Sequence, residues 1–527
     1  MSRKKKSSSA PLPDLMGMDV ISKKAEPNRP KTKLAVLPPN SMCNHDSIMA
    51  GLLILLIALV PFVVRLKVIG FTAPRILVPL LDTGLHGGFF AYYKWLLVLV
   101  VTVAVMAVLV HKMLVHKYTL QASYINVPLL ILALLVLLSL LAAQYKSIAL
   151  LGLYNQRDGA LIWLAYLALF LAAANTVYKP WFSQGVNIAL LIIIVINTAI
   201  VLWDFSGHRL VEYEFVKILA APPELRNSLS GDFNSTMGNF NYVSGFAAAL
   251  FAYFMSGTLL YTDWKKRLPA LLAALAAFGM VLASLSSSGF VTLLFISPLL
   301  AAVIFRSADK KKSLQAGAAV LAACLLIFLL MNAYNPQVAQ ETTGLIQSPL
   351  QTSEQETAPP QERREAGKGE EFSLPQPGWS AGTGRVYIWR ETINLTLERP
   401  FIGYGPGTLA YYFPQNDINK VANMNDYNTL ITKPHNMYLG VAYGLGIPAL
   451  LGLLILFLLH FYFTGRYLWR TELNQNHVFP AALFLFFCAF AVQAMVNDTV
   501  IDAGAIFWIL MGAAVSLNLV EDQPPTS

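Results

Sequence analysis

The sequence predicts an all-α, polytopic integral membrane protein of about twelve transmembrane helices, with one large external loop containing amphipathic helices. Three observations carry that reading. Of 527 residues, 56% are hydrophobic and only 13% are charged, too apolar a balance for a water-soluble globule. Windows of roughly 20 mostly apolar residues, the length of a helical span, recur along the chain. The basic residues gather in alternate connections between those windows.

The predicted spans lie near 47–64, 94–112, 125–143, 160–176, 185–203, 242–261, 269–287, 289–305, 315–332, 437–462, 480–497 and 500–519. Residues 1–46, beginning "MSRKKKSSSA" and rich in Pro, Ser and Lys, read as a disordered cytoplasmic tail ahead of an uncleaved first span. With that tail inside, the inner connections carry Lys112 to Lys117, Lys179, "DWKKR", "RSADKKK", Arg466 and Arg470. That is the positive-inside pattern, and an even span count places both termini in the cytoplasm. The net charge of +9 is therefore a topology signal and a contact for lipid headgroups, and it does not indicate nucleic acid. Cys43, Cys324 and Cys488 fall in the tail or in spans, so no disulfide framework or metal cluster is expected.

Nine spans fill 47–332, an extracytoplasmic loop fills 333–436, three spans fill 437–519, and 520–527 forms a cytoplasmic tail. The loop is far longer than an ordinary connection. Residues 334–380 are rich in Gln, Glu, Pro and Thr without an apolar period. From 382 the character changes. Val386, Trp389, Ile393 and Leu397 recur at three or four residues, which predicts an amphipathic helix stopped by Pro400 and a Gly-rich turn at 403–407. No phosphate-binding P-loop, dinucleotide fingerprint or zinc spacing occurs. Any chemistry belongs to loop residues at the membrane surface, because the central parts of the spans hold almost no ionisable residues. The same shortage argues against an ion-coupled transporter.

The polar candidates collect at the external ends of spans. His435, in "KPHNMYLG", is a suitable general base for a hydroxyl; the structural alternative is an interfacial histidine beside Asn436 acting as a helix N-cap. Arg385 offers a planar fork to phosphate oxygens or, equally, a headgroup anchor. Arg157 breaks the positive-inside trend, with a local ion pair to Asp158 as the alternative. Asn239 and Asn241 in "STMGNFNYVSG" read as a turn and cap unless a ligand approaches Gly238 or Gly245. Asp498 and Asp502 flank a short external turn, by default solvated.

Taken in order, "GTGRVYIWRETINLTLERPFIGYGPGTL" and "KPHNMYLGVAYGLGIPALLG" resemble the O-antigen ligase and polymerase superfamily of bacterial polytopic glycosyltransferases. The matching residues are Gly384, Arg385 and Trp389; Pro400, Phe401, Gly403, Gly405 and Gly407; and His435, Asn436, Tyr438 and Leu439. "GNFNYVSG" and "QRDGALIWLAYLALF" extend the likeness. The family often carries Ser-Arg-Gly at the external end of a middle span, where this chain has Ser288 before Gly289; Arg157, Arg226 or Arg390 are candidates for the missing cation. The resemblance implies inverting transfer from a polyprenyl-diphosphate-linked glycan to a glycan, lipid or protein hydroxyl, on the outer face of the cytoplasmic membrane. Under it, His435 is the base and Arg385 stabilises the leaving diphosphate. Arg157, Asn239, Asn241, Trp389, Arg390, Asn436 and Tyr438 bind or position substrate. No external Asp-x-Asp pair is evident, which favours a metal-independent reaction, and no cofactor is implied. The rival readings are a transporter or flippase of lipid-linked glycan, and an inactive family member acting as a scaffold.

Overall fold

The computed structural model describes residues 44–74, 81–121, 123–229, 235–347, 375, 378–380, 384–424 and 428–521. The expected N-terminal tail apart from its last residues, Cys43, most of the low-complexity stretch and the last residues of the C-terminal tail lie outside them.

The chain opens with α1 (Asn44–Leu59), a hairpin of β1 (Lys67–Phe71) and β2 (Gly84–Gly88), α2 (Tyr92–His116) and α3 (Asn126–Ala142). The short α4 (Lys146–Leu151), α5 (Ala160–Ala174), α6 (Pro180–Phe205) and short α7 (Glu214–Ala220) follow. Next come α8 (Phe240–Leu260), α9 (Trp264–Ala283), α10 (Ser287–Arg306), α11 (Lys310–Tyr334) and α12 (Gln337–Gln347). The loop supplies α13 (Arg385–Glu398), α14 (Leu409–Tyr412) and α15 (Ile418–Met424). The last group is α16 (Met437–Leu445), α17 (Ile447–Arg470), α18 (Val478–Gln493) and α19 (Ile501–Glu521).

Among the described residues, nine helices are long and apolar enough to cross a membrane: α1, α2, α6, α8, α9, α10, α11, α17 and α18. α3, α5 and α19 are shorter apolar helices. The protein is thus a polytopic membrane protein, and its described residues are all-α apart from one antiparallel hairpin that the sequence reading did not anticipate. α8 is the hub, buried along its whole span against α9, α10 and α18. Its run Ser244-Gly245-Phe246-Ala247-Ala248-Ala249 lets helices approach closely, as small residues do where no water drives association. At the other extreme, α11 leaves Leu321, Leu325 and Leu329 more than half exposed, a surface suited to lipid.

The expected tenth span, 437–462, is two helices. Gly446 breaks it at φ +95°, and Pro448 lies in the first turn of α17. The Ile447 N–H donates to the Pro400 carbonyl at 2.7 Å, so the break is stitched to the loop. The Gly-rich turn completes the join. Tyr404 and Gly405 donate to the carbonyls of Tyr443 and Gly444 at 3.0 and 2.9 Å. Gly403 has φ +72°, and a Cβ there would stand 2.6 Å from the Gly444 backbone. This turn seats α13 against α16.

α13 forms where expected, but its buried face is Tyr387, Ile388, Thr392 and Thr396, while Ile393 and Leu397 are exposed. Thr392 and Thr396 can be buried because each hydroxyl donates to the carbonyl four residues earlier, at 2.7 Å.

Contacts among helix ends and connections define two ends of the bundle. One end joins Lys94 to Asp502, Asn497 to Asn241 and Lys433 to Asp158. The far end joins Lys112 to Asp46, Ser313 to Leu259 and Ala308 to Leu473.

Candidate active site

The loop, the start of α8 and the α18–α19 connection meet at the first of these ends. Trp389, one turn into α13, donates its indole N–H to the Pro434 carbonyl at 2.8 Å. The next residue, His435, adopts φ +53°, a left-handed conformation that a non-glycine residue holds only where its surroundings enforce it. Asn436 then caps α16, its Oδ1 accepting from the Leu439 N–H at 3.0 Å. These constraints fix the imidazole. Its Nδ1 stands 3.1 Å from Oδ2 of Asp498, a charge-pair distance, although the ring is out of line for a straight N–H···O bond. The His435 side chain is 35% exposed and Asp498 only 7%, so the imidazole is reachable and its partner is enclosed.

Asp498 is therefore no solvated turn residue. Burial alone would lift its carboxyl; the approach and charge of His435, the Lys433 charge and the Asn436 N–H hold it below the ordinary 3.8. Asp502 is buried as well, and its Oδ2 accepts from Lys94 Nζ at 2.7 Å. Lys433 Nζ lies 3.3 Å from Asp158 Oδ2. Burial pulls the Lys433 ammonium down, but Asp158, then Tyr242 and Asp498, outweigh it and raise it above its usual range. Asp158 thus pairs with Lys433 and not with its neighbour Arg157.

Arg385 begins α13 half-buried, with no hydrogen-bond partner among the described residues. Burial lowers its guanidinium from the usual range, against the pull of Asp498 and Tyr242. Tyr242, on the first turn of α8, is in electrostatic reach of Asp498, Lys433, Asp158 and Arg385. The cluster consists of Arg385, Lys433, His435, Asp158, Asp498 and Tyr242, with two cations formally balanced by two carboxylates. A cavity of about 80 Å³ lies against Asp158, Lys433, Pro434 and Asp498, room for water and too small for a sugar ring.

The remaining candidates lie around this cluster in varied roles. Arg157 (φ +52°) is buried, its guanidinium 5.3 and 5.5 Å from the Tyr92 and Trp95 ring centres. Burial lowers it as well, against Tyr92. Arg390 is exposed and stacks over Trp379 at 5.2 Å. Asn239 caps α8, accepting from the Asn241 N–H. Asn241 accepts from Ser286 Oγ at 2.7 Å, and its carbonyl accepts from Ser288 and Asn497. Tyr438 donates its hydroxyl to the Ala491 carbonyl at 2.7 Å. Ser288, at the position of the expected arginine, is fully buried in the contact between α8 and α10. The second cation beside His435 is Lys433, two residues before it, which the sequence reading passed over.

Fold and cluster together define a polytopic membrane protein with a charged, histidine-bearing site where its loop docks on one end of the bundle. Residues 271–454 match the family described as O-antigen ligase. A Rickettsia conorii protein named "Putative polysaccharide ligase" is 27% identical over 159 residues, covering 29% of this chain and 36% of its own length. The chain thus matches about a third of that relative. The matched family segment contains Ser288, Arg385, Lys433 and His435 but not Asp158 or Asp498.

Proposed function

We propose that the protein is an inverting, metal-independent glycosyltransferase of the O-antigen ligase and polymerase type. Its donor is a glycan on a polyprenyl diphosphate, and its acceptor a hydroxyl of a glycan, lipid or protein. The observation that carries this reading is His435 held against Asp498 within one cluster with Arg385 and Lys433. His435 Nε2 takes the proton of the acceptor hydroxyl as its oxygen attacks the anomeric carbon. The bond from that carbon to the diphosphate oxygen breaks, and polyprenyl diphosphate leaves. Arg385, which can meet phosphate oxygens in a fork, and Lys433 stabilise the charge developing on the leaving group. Asp498 stabilises the imidazolium that forms. Arg157, Asn239, Asn241, Trp389, Arg390, Asn436 and Tyr438 shape the site or position its substrates, Trp389 and Asn436 by fixing His435. The absence of an Asp-x-Asp pair from the external segments favours charge stabilisation by these side chains.

In this reading all twelve apolar helices cross the cytoplasmic membrane, α3, α5 and α19 included. The basic residues Lys112, Lys265, Lys266, Arg306, Lys310, Arg466 and Arg470 lie toward the far end, which supports placing that end and both termini in the cytoplasm. The site and the loop 333–436 are then extracytoplasmic. The test is transfer from a defined polyprenyl-diphosphate oligosaccharide by purified wild type, His435→Ala and Arg385→Ala. Undiminished transfer by both variants would refute it.

A further inference from the structure

At the far end, away from His435, α10, α17 and α18 enclose a second cavity. Its volume is about 520 Å³, and Leu299, Val303, Leu468, Phe484 and Leu485 line it. Phe461, Tyr462 and Trp469 at its rim are 44%, 52% and 63% exposed, so it opens on the side of the bundle. Arg306, Arg466 and Arg470 also border it.

The backbone holds this site in shape. Arg306 ends α10, and its carbonyl accepts from the Leu473 N–H at 2.8 Å, while the Ala308 N–H donates to the Leu473 carbonyl at 2.8 Å. The Arg306 guanidinium donates to the Thr471 carbonyl at 3.2 Å and lies 5.7 Å from the Trp469 ring centre. Its Nε is buried without a partner. Arg466 donates to the Tyr462 hydroxyl at 2.6 Å. None of the three guanidinium groups meets a carboxylate among the described residues, whereas nearby Asp309 is occupied by Lys312 at 2.8 Å.

Three guanidinium groups with no carboxylate at ion-pair distance among the described residues, at the mouth of an apolar, side-opening cavity, call for one kind of occupant. A free anion would leave the Leu, Val and Phe lining empty, and a neutral lipid would leave the cations unpaired. We propose that this cavity binds an anionic diacyl phospholipid, with its phosphate on Arg306, Arg466 and Arg470 and an acyl chain along Val303, Leu468 and Phe484. Basic pockets between helices at the cytoplasmic side suit such headgroups. The inference rests on the span-forming fold alone and does not depend on glycan transfer.

The experiment is native mass spectrometry of the full-length protein, released from detergent after exchange into dioleoyl phosphatidylglycerol or dioleoyl phosphatidylcholine. One retained phosphatidylglycerol per chain, preferred over phosphatidylcholine, is the expected result. R306Q/R466Q/R470Q should lower that retention roughly a hundredfold, since each basic residue contributes to headgroup binding. Ala302→Phe, which fills the cavity, should lower it with the charges intact. Thermal unfolding monitors folding of each variant; Arg466 and Arg470 are exposed, so R466Q/R470Q serves if either variant fails to fold. Equal retention of both lipids, or wild-type retention by the arginine variants, would overturn the proposal. Displacement of the lipid by millimolar inorganic phosphate would overturn it too, by showing a simple anion site.

Discussion

Replacing Asp498 with asparagine keeps the side chain's size and removes the carboxylate that stands against His435. At 3.1 Å, Coulomb's law with an effective dielectric near 20 gives an attraction of roughly 5 kcal/mol for the imidazolium pair. That is an upper bound. The imidazole is 35% exposed, its N–H is out of line with Oδ2, and solvent screens the pair. Even a well-aligned hydrogen bond to a charged partner contributes only about 1.5–3 kcal/mol net, which caps the rate loss at a factor of roughly ten to a hundred and fifty. The loss should appear in kcat, because the imidazolium exists only once the proton has moved. Donor KM should stay level or fall, since Lys433 and Arg385 lose a neutralising carboxylate and meet the diphosphate more freely. The assay is steady-state transfer from a polyprenyl-diphosphate oligosaccharide over a range of donor concentrations. Wild-type kcat in Asp498→Asn, or a defect confined to donor KM, would refute the role assigned to the pair.

The Gly-rich turn and the ion pairs give further outcomes. Gly403→Ala should destabilise the protein by about 1–3 kcal/mol, because φ is +72° and its Cβ would stand 2.6 Å from the Gly444 backbone; thermal unfolding in detergent reads it. Asp502→Ala strands the Lys94 ammonium, now paired at 2.7 Å with both side chains 2% exposed, and should cost about 3–5 kcal/mol. The pH response follows from two shifts of opposite sign. Asp498 is held below 3.8, so its stabilisation is complete above that value and is lost as pH falls through its lower folded value. Lys433 is raised above 10.5, so its share is complete below that value and is lost only at higher pH. Thermal stability should therefore show no loss from these two groups between pH 5 and pH 9; a loss in that window that Asp498→Asn abolishes would contradict the assignment.

Much of the architecture was legible from the chain, because length of apolar run and helix period are local properties. Each of the twelve expected windows contains a helix, and Asn436 caps α16 as its position before an apolar run suggested. The break at Gly446 was also written locally, in "YGLGIPALLG", but the unbroken hydrophobicity around it concealed it. The apolar period of α13 left open whether that face packs on the bundle or lies in the membrane interface; Ile393 and Leu397 are exposed, and Thr392 and Thr396, which satisfy their own hydroxyls, are buried. The site was half legible. His435, Arg385 and Trp389 stand in a recognisable order, whereas Asp498 lies 63 positions beyond His435 in the chain and reaches it only when α18 folds back. Lys433 was overlooked for a different reason. A lysine two residues from a candidate base reads as a surface charge until Asp158 is seen to hold it.

The central claim is that one cluster both deprotonates the acceptor and stabilises the departing diphosphate. Single-turnover transfer with saturating polyprenyl-diphosphate oligosaccharide and acceptor tests it most directly, comparing wild type, His435→Ala and Arg385→Ala. The account predicts that each variant loses at least about a hundredfold in the chemical step while remaining folded and able to bind donor. Transfer at the wild-type rate by either folded variant would contradict it.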